Sequence, residues 1–439
     1  MKLIYGIKDK PKTPQLIIFA FQQVLAILAA TIAVPAIVGN GMSPSAALFG
    51  AGVGTLVYQL FTKFRSPVFL GSSFAFISPM CAAFAGAASA SAGFAGILLG
   101  AVLAGLVYVI IAAVVKFAGV KWIDKLMPPV VIGPTVALIG LSLAGAAIKD
   151  VFSYGPQDAN DAFIMTAPLW ASLVCAMVTM FSIILFSTYG KKLIKLIPFI
   201  LGILVGYLTA VIFTLCGIPV IDFGKFSNMQ LFAVPDFTFL KAAKGISQID
   251  GTYFATVAVA YIPVAFVVFA EHIADHKNLS SIIDAELLQE PGLHRTLLGD
   301  GIGSMAGAFF GGCPNTTYGE SVGCVAITRN ASIITITVAA FMCIAISFFG
   351  PFVTFLSSIP GCVMGGVCVT LYGFIACSGL KMIQKVDLNQ NKNLFVTAVI
   401  LITGIGGMAM AIGKVTLTTT ACALILGILV NLLVSGAKE

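Results

Sequence analysis

The sequence predicts an all-α polytopic membrane protein, and three observations predict it. Of its 439 residues, 59% are hydrophobic and only 9% are charged. The mean hydropathy of +1.06 lies far above the range of soluble domains. The apolar residues also fall into runs near the roughly 20 residues that a helix needs to cross hydrocarbon. The resulting partition has fourteen spans: 15–39, 44–62, 68–83, 90–118, 128–148, 166–189, 193–217, 253–275, 297–312, 313–328, 331–356, 361–380, 394–412 and 416–435.

Span 1 follows Lys2, Lys8, Lys10 and Lys12 with no small-residue cleavage site, so it reads as a span and not as a signal peptide. Span 3 holds FLGSSFAFISP (Phe69 to Pro79) and span 10 holds most of GGCPNTTYGESVG (Gly311 to Gly323); both are short and rich in Gly, Pro and hydroxyls. Span 8 carries FAEHIAD, and span 9 is glycine-rich. In span 12, GCVMGGVC (Gly361 to Cys368) reads as close helix packing through small residues. The ten cysteines form no CxxC and no Cys/His grouping, which argues against metal or disulfide roles. A membrane enzyme finds no metal cluster, nucleophile–base pair or phosphate loop.

Charge orients the spans. With both termini in the cytoplasm, nineteen of the 24 Lys and Arg residues lie inside, and only Lys149, Lys225, Lys241, Lys244 and Lys414 lie outside. The net charge of +7 follows from this topology and needs no nucleic-acid partner.

Fourteen spans divide into two sets of seven of opposite orientation, which places spans 3 and 10 in equivalent positions. A matched pair of interrupted segments points to the substrate site of an inverted-repeat transporter. Extended backbone is tolerable there only where it is buried in protein or lines a cavity. The plainer alternative is a kinked helix whose Thr and Asn side chains satisfy freed carbonyls. FAFQQ (Phe19 to Gln23) and VFAEH (Val268 to His272) echo each other faintly in spans 1 and 8.

Four of the 17 acidic residues fall within spans: Glu271, Asp275, Asp300 and Glu320. A charge at bilayer depth costs about 2.5–3.5 kcal/mol, so each is a functional candidate. Asp300 reads most simply as a cap at the start of span 9. Glu271 and Asp275 are one helical turn apart on one face, where a like-charge pair can share a proton. The bland reading of Asp275 is a solvated residue at a helix end, beside His276 and Lys277. His272 reads as a polar group turned towards a neighbouring span, and His294 as a loop residue. Carboxylates facing free amides suit a ligand with both N–H donors and C=O acceptors. A pyrimidine-dione or an oxopurine has both, with its flat ring against Phe74 or Tyr318, whereas a sulfate-like anion would be repelled.

PNTTYGESVG with the following CVAITR resembles the signature of the nucleobase–ascorbate transporter family, its bacterial uracil permeases in particular. FQQVLA, GSSFAFISP, FAEHIAD and EPGLHR are similar to segments of that family in the same order, so the resemblance covers essentially the whole chain. It implies a core domain of 1–118 and 253–356 (segments 1–4 and 8–11) and a gate domain of 119–217 and 357–439 (segments 5–7 and 12–14). Short antiparallel strands in segments 3 and 10 would meet at the site. Phe74 would offer an amide and a ring, Glu271 would bind ring N–H groups, and Gly319 and Glu320 would offer amides. Glu271, Asp275 and Glu320 would share the proton-coupling role, supported by Gln23, Ser73, Thr317 and Ser321. Three positions depart from the family pattern: Ser321 replaces an asparagine, and Gln23 and Asp275 replace histidines. The implied activity is uracil import coupled to protons by alternating access, without a cofactor, in a homodimer of the inner plasma membrane. The alternatives are a xanthine or other purine permease, and an anion transporter or channel of the same fold.

Overall fold

A computed structural model describes residues 3–119, 122, 128–191, 193–227, 229–412 and 415–435. Lys2, Lys121, Lys125, Lys192, Lys414 and Lys438 of the charge argument lie outside the described residues.

Local signals in the sequence open and close the first helices. Pro14 stands in the first turn of α1 (Thr13–Val38), which ends at Gly39 with φ 66°. The Ser43 hydroxyl accepts from the Ala46 N–H at 3.3 Å to start α2 (Pro44–Phe61). The chain then runs extended as β1 (Leu70–Ser72), makes a 3₁₀ turn at Phe74–Phe76, and enters α3 (Ile77–Ala85). Ser89 caps α4 (Ala90–Ala118), which closes at Gly119 with φ 73°.

Next come α5 (Pro129–Ser142), α6 (Ala144–Val151), α7 (Ala167–Tyr189) and α8 (Pro198–Leu215). The Asp250 carboxylate caps α9 (Gly251–Ile283) by accepting from the Tyr253 N–H at 2.6 Å. Then α10 (Leu293–Gly311) ends at the left-handed Gly312, followed by β2 (Asn315–Thr317) and α11 (Gly319–Thr328). The last elements are α12 (Ile333–Ser347), α13 (Gly350–Ser358), α14 (Gly361–Ile383), α15 (Asn391–Ile405), β3 (Met410–Ile412), β4 (Val415–Leu417) and α16 (Thr419–Val434).

Among the described residues, eight helical stretches are long and apolar enough to cross a membrane, and four more apolar helices are shorter. Three expected spans are corrected. Span 11 is two helices, because Phe349 is extended and Pro351 starts a new first turn. Spans 13 and 14 are shortened by the antiparallel pair β3–β4, and Thr418 caps α16 after it. Large apolar side chains such as Ile110, Phe117, Leu185, Leu208, Ile402 and Leu433 stand outward, a surface suited to lipid.

The chain forms two compact units. The smaller gathers 140–234 and 345–374. In it, Gly202 and Gly206 of α8 have no room for a Cβ against Ile183 and Thr179 of α7. The larger unit gathers 1–139, 235–344 and 375–439. Its closest seam joins α2 to α10, where Gly50 and Gly54 lie against the carbonyls of Gly307 and Gly303. Small residues let the two backbones touch, and that contact sets the floor of the strand crossing.

Candidate functional site

The site is built on a backbone crossing. β1 and β2 pair antiparallel with Leu70 opposite Thr317, Gly71 opposite Thr316 and Ser72 opposite Asn315. The ladder continues at both ends, from the Ser73 N–H to the Pro314 carbonyl at 2.9 Å and from the Tyr318 N–H to the Phe69 carbonyl at 3.2 Å. In buried surroundings each strand thus satisfies the other's polar groups.

Side chains from neighbouring helices fasten the outer edges. Thr55 of α2 accepts from the Leu70 N–H at 3.0 Å, and Ser321 of α11 accepts from the Phe69 N–H at 3.0 Å. Asn315 donates to the Gly50 carbonyl at 3.1 Å. The Tyr318 hydroxyl donates to the Ser72 carbonyl at 2.7 Å, and its ring fills the space that a Cβ at Gly71 would need. That close approach is why residue 71 has no side chain.

Each strand leads into a helix start. Phe74, half-buried, opens the 3₁₀ turn before α3, and Gly319 and Glu320 open α11. First-turn amides have no intrahelical acceptor, so a helix start is a ready donor surface for an oxygen-bearing ligand.

The carboxylates gather beside this crossing. Asp275 accepts from the Thr317 hydroxyl at 2.8 Å, which ties α9 to β2. Gly319 also stands next to the Asp275 carboxylate. Glu271 feels the charges of Asp300 and Glu320, and Asp275 feels those of Glu271, Glu320 and Asp300. The solvated helix-end reading of Asp275 is therefore corrected: α9 runs on to Ile283, and β2 holds the side chain. Gln23 of α1, 2% exposed, donates to the Ser321 carbonyl at 3.4 Å, while its Oε1 has no protein partner. Ser73 is likewise buried, with an unpartnered hydroxyl.

A second polar group lies one residue along α9. His272 Nδ1 is 2.7 Å from Asp300 Oδ2, and Nε2 is 2.9 Å from the Thr296 hydroxyl. Asp300 is thus no cap: Gly292 holds the cap position, and Asp300 sits in the middle of α10 at 1% exposure. His272 turns towards a neighbouring helix, as its sequence position suggested. His276 is buried against Tyr58 and Ser66 at 2.7 and 3.2 Å. Thr55, Tyr58, Ser66 and Thr296 drew no notice in the sequence. The signal was present in EHIADH, where Glu271/Asp275 and His272/His276 form two adjacent stripes of one-turn spacing.

Comparison with known proteins decides the family. A model described as "Permease family", of the xanthine and uracil permease type, matches residues 14–413. The chain belongs to this permease family. Uracil permease of Bacillus caldolyticus is 39% identical over 443 residues, covering 100% of this chain and 96% of that protein. Uracil permease of Escherichia coli (strain K12) is 34% identical over 430 residues, covering 98% and 93%. Among solved structures, this permease resembles the transmembrane domain of a cyanobacterial bicarbonate transporter, BicA, with a TM-score of 0.62 at 15% identity, covering 98% of this chain and 99% of that one. It also resembles the murine anion transporter Slc26a9 in its inward-facing state, with a TM-score of 0.67 at 14% identity, covering 98% and 69%. At those identities the likeness concerns the fold alone. This permease is a multi-pass membrane protein of a transporter family, not an enzyme.

Proposed function

We propose that this permease imports uracil together with a proton. The observation that carries the reading is the union of a buried two-strand crossing, two helix starts and a carboxylate-bearing helix in one place. Uracil has two ring N–H donors and two carbonyl acceptors. Glu271 takes the N–H groups, and the amides at Phe74, Gly319 and Glu320 take the carbonyls, with the Phe74 ring beside the base. Tyr318 holds the crossing in shape through Ser72 and borders the base. The proton resides among Glu271, Asp275 and Glu320, with Gln23, Ser73, Thr317 and Ser321 fixing the strands around them. The full-length likeness to curated uracil permeases supports the choice of base.

In this reading the chain crosses the inner plasma membrane fourteen times as two inverted repeats, with both termini cytoplasmic. A core of 1–118 and 253–356 moves against a gate of 119–217 and 357–439 to expose the site to each side in turn. The working form is a homodimer. A xanthine permease and an anion carrier are the competing outcomes. Uptake of labelled uracil into proteoliposomes, challenged with xanthine or sulfate, tests them. Unlabelled uracil should compete, and neither of the others should at equal concentration; competition by xanthine or sulfate, with none by uracil, overturns the reading.

A further inference from the structure

His272, Thr296 and Asp300 are enclosed, at 0%, 0% and 1% exposure. Their hydrogens can be counted. The Thr296 hydroxyl, with one hydrogen, donates to the Leu293 carbonyl at 3.1 Å. Its oxygen can then only accept from His272 Nε2, which must carry a hydrogen. The 2.7 Å contact between Nδ1 and Asp300 Oδ2 needs a hydrogen as well, because two bare lone pairs would repel. The pair therefore has zero net charge, written either as imidazolium–carboxylate or as imidazole–carboxylic acid. Release of one proton to solvent, with the Thr296 hydroxyl turned from Leu293 to Nε2, gives the other state: Nε2 becomes the acceptor, Nδ1–H donates to Oδ2, and the pair is an anion. The two states differ by one proton and one hydroxyl rotation. Burial favours the neutral one.

From α4, the buried Tyr108 hydroxyl has no protein hydrogen-bond partner, nor has Asp300 Oδ1, and Tyr108 feels the charges of both Asp300 and Glu271. From α2, the Tyr58 hydroxyl lies 2.7 Å from both the Ser66 hydroxyl and His276 Nε2, and the Ser66 hydroxyl reaches that nitrogen at 3.2 Å. His276 donates through Nδ1 to the His272 carbonyl at 2.8 Å, and its ring stacks on that of His272 at 4.0 Å. Glu271 and Asp275 on α9 are the charged neighbours, with Glu320 of α11 acting through them.

We propose that His272, Asp300 and Thr296 form a second proton-binding site behind the base site, and that its proton-loaded, neutral state is the one that binds base. The inference rests on the uracil–proton reading above. Glu271 accepts N–H groups most strongly as the anion, and its neighbour on α9, His272, holds Asp300 at 2.7 Å. A neutral pair leaves the Glu271 anion unopposed, whereas an anionic pair repels it. Proton and base thus favour each other across one residue of α9, and the effect is reciprocal.

Calorimetric uracil binding to the purified protein, from acid to alkaline pH, tests this. The parent should lose affinity at alkaline pH by about tenfold or more, within the usual span of coupling between two sites. Asp300→Asn, permanently uncharged, should keep the acid-pH affinity and lose most of that fall. Thr296→Val should move the midpoint of the pH dependence, and Thr296→Ser should restore it; this series decides the matter if Asp300→Asn does not fold. An unchanged pH profile in Asp300→Asn, a folded Asp300→Asn that binds no uracil, or an unmoved midpoint in Thr296→Val overturns the second site and leaves the uracil reading standing. A parent that binds no uracil at any pH removes both.

Discussion

At the scale of residues, Glu271 and Asp275 have different surroundings although one helical turn separates them. Asp275 is engaged by the Thr317 hydroxyl at 2.8 Å, whereas Glu271 is half-buried and faces the charges of Asp300 and Glu320. Glu271→Gln keeps the shape but offers an N–H where the base presents its own. Losing a charge-assisted hydrogen bond costs about 1.5–3 kcal/mol, so uracil affinity should fall roughly 10- to 100-fold by calorimetry. Unchanged affinity would remove Glu271 from the site. Asp275→Asn keeps the bond to Thr317 and deletes one titrating group. Binding should survive while proton-driven accumulation falls and its pH profile shifts; accumulation with the parent's pH profile would reduce Asp275 to a fastening for β2. The carboxylates themselves were legible in the sequence, because charge in an apolar run stands out. Asp300 was misread, because a helix cap and a buried ion-pair partner look alike until the opposite helix is known, and His272 is 28 residues away in sequence.

At the scale of elements, the crossing depends on a few hydroxyls. Thr55 accepts the Leu70 N–H and also bonds the Ala51 carbonyl at 2.8 Å. Thr55→Val fills the same volume but leaves a buried N–H without a partner, a cost of about 1–3 kcal/mol. The thermal midpoint and uracil affinity should both fall, and Thr55→Ser should recover both; equal behaviour of the Val and Ser variants would show that the hydroxyl does not hold β1. That segments 3 and 10 are irregular was readable from their Gly, Pro and hydroxyl content. The register that joins them was not, since Leu70 and Thr317 lie in different halves of the chain. Nor was β3–β4, whose residues read as helical spans on hydropathy alone. Hydropathy reports burial and is silent on backbone conformation.

At the scale of the whole molecule, hydropathy and charge were enough for a polytopic membrane chain, and family membership agrees with them. Span counting was less exact, because the length rule assumes unbroken helices, and this chain interrupts several of them. We propose that base and proton cross together through the strand crossing. Proton movement on adding uracil to sealed proteoliposomes loaded with a pH indicator tests it most directly. Uracil added outside, with no imposed gradient and no sodium, should acidify the lumen, and Glu271→Gln should abolish the signal at the same protein density. Uracil entry with no change in luminal pH, or entry that requires sodium, would contradict the account.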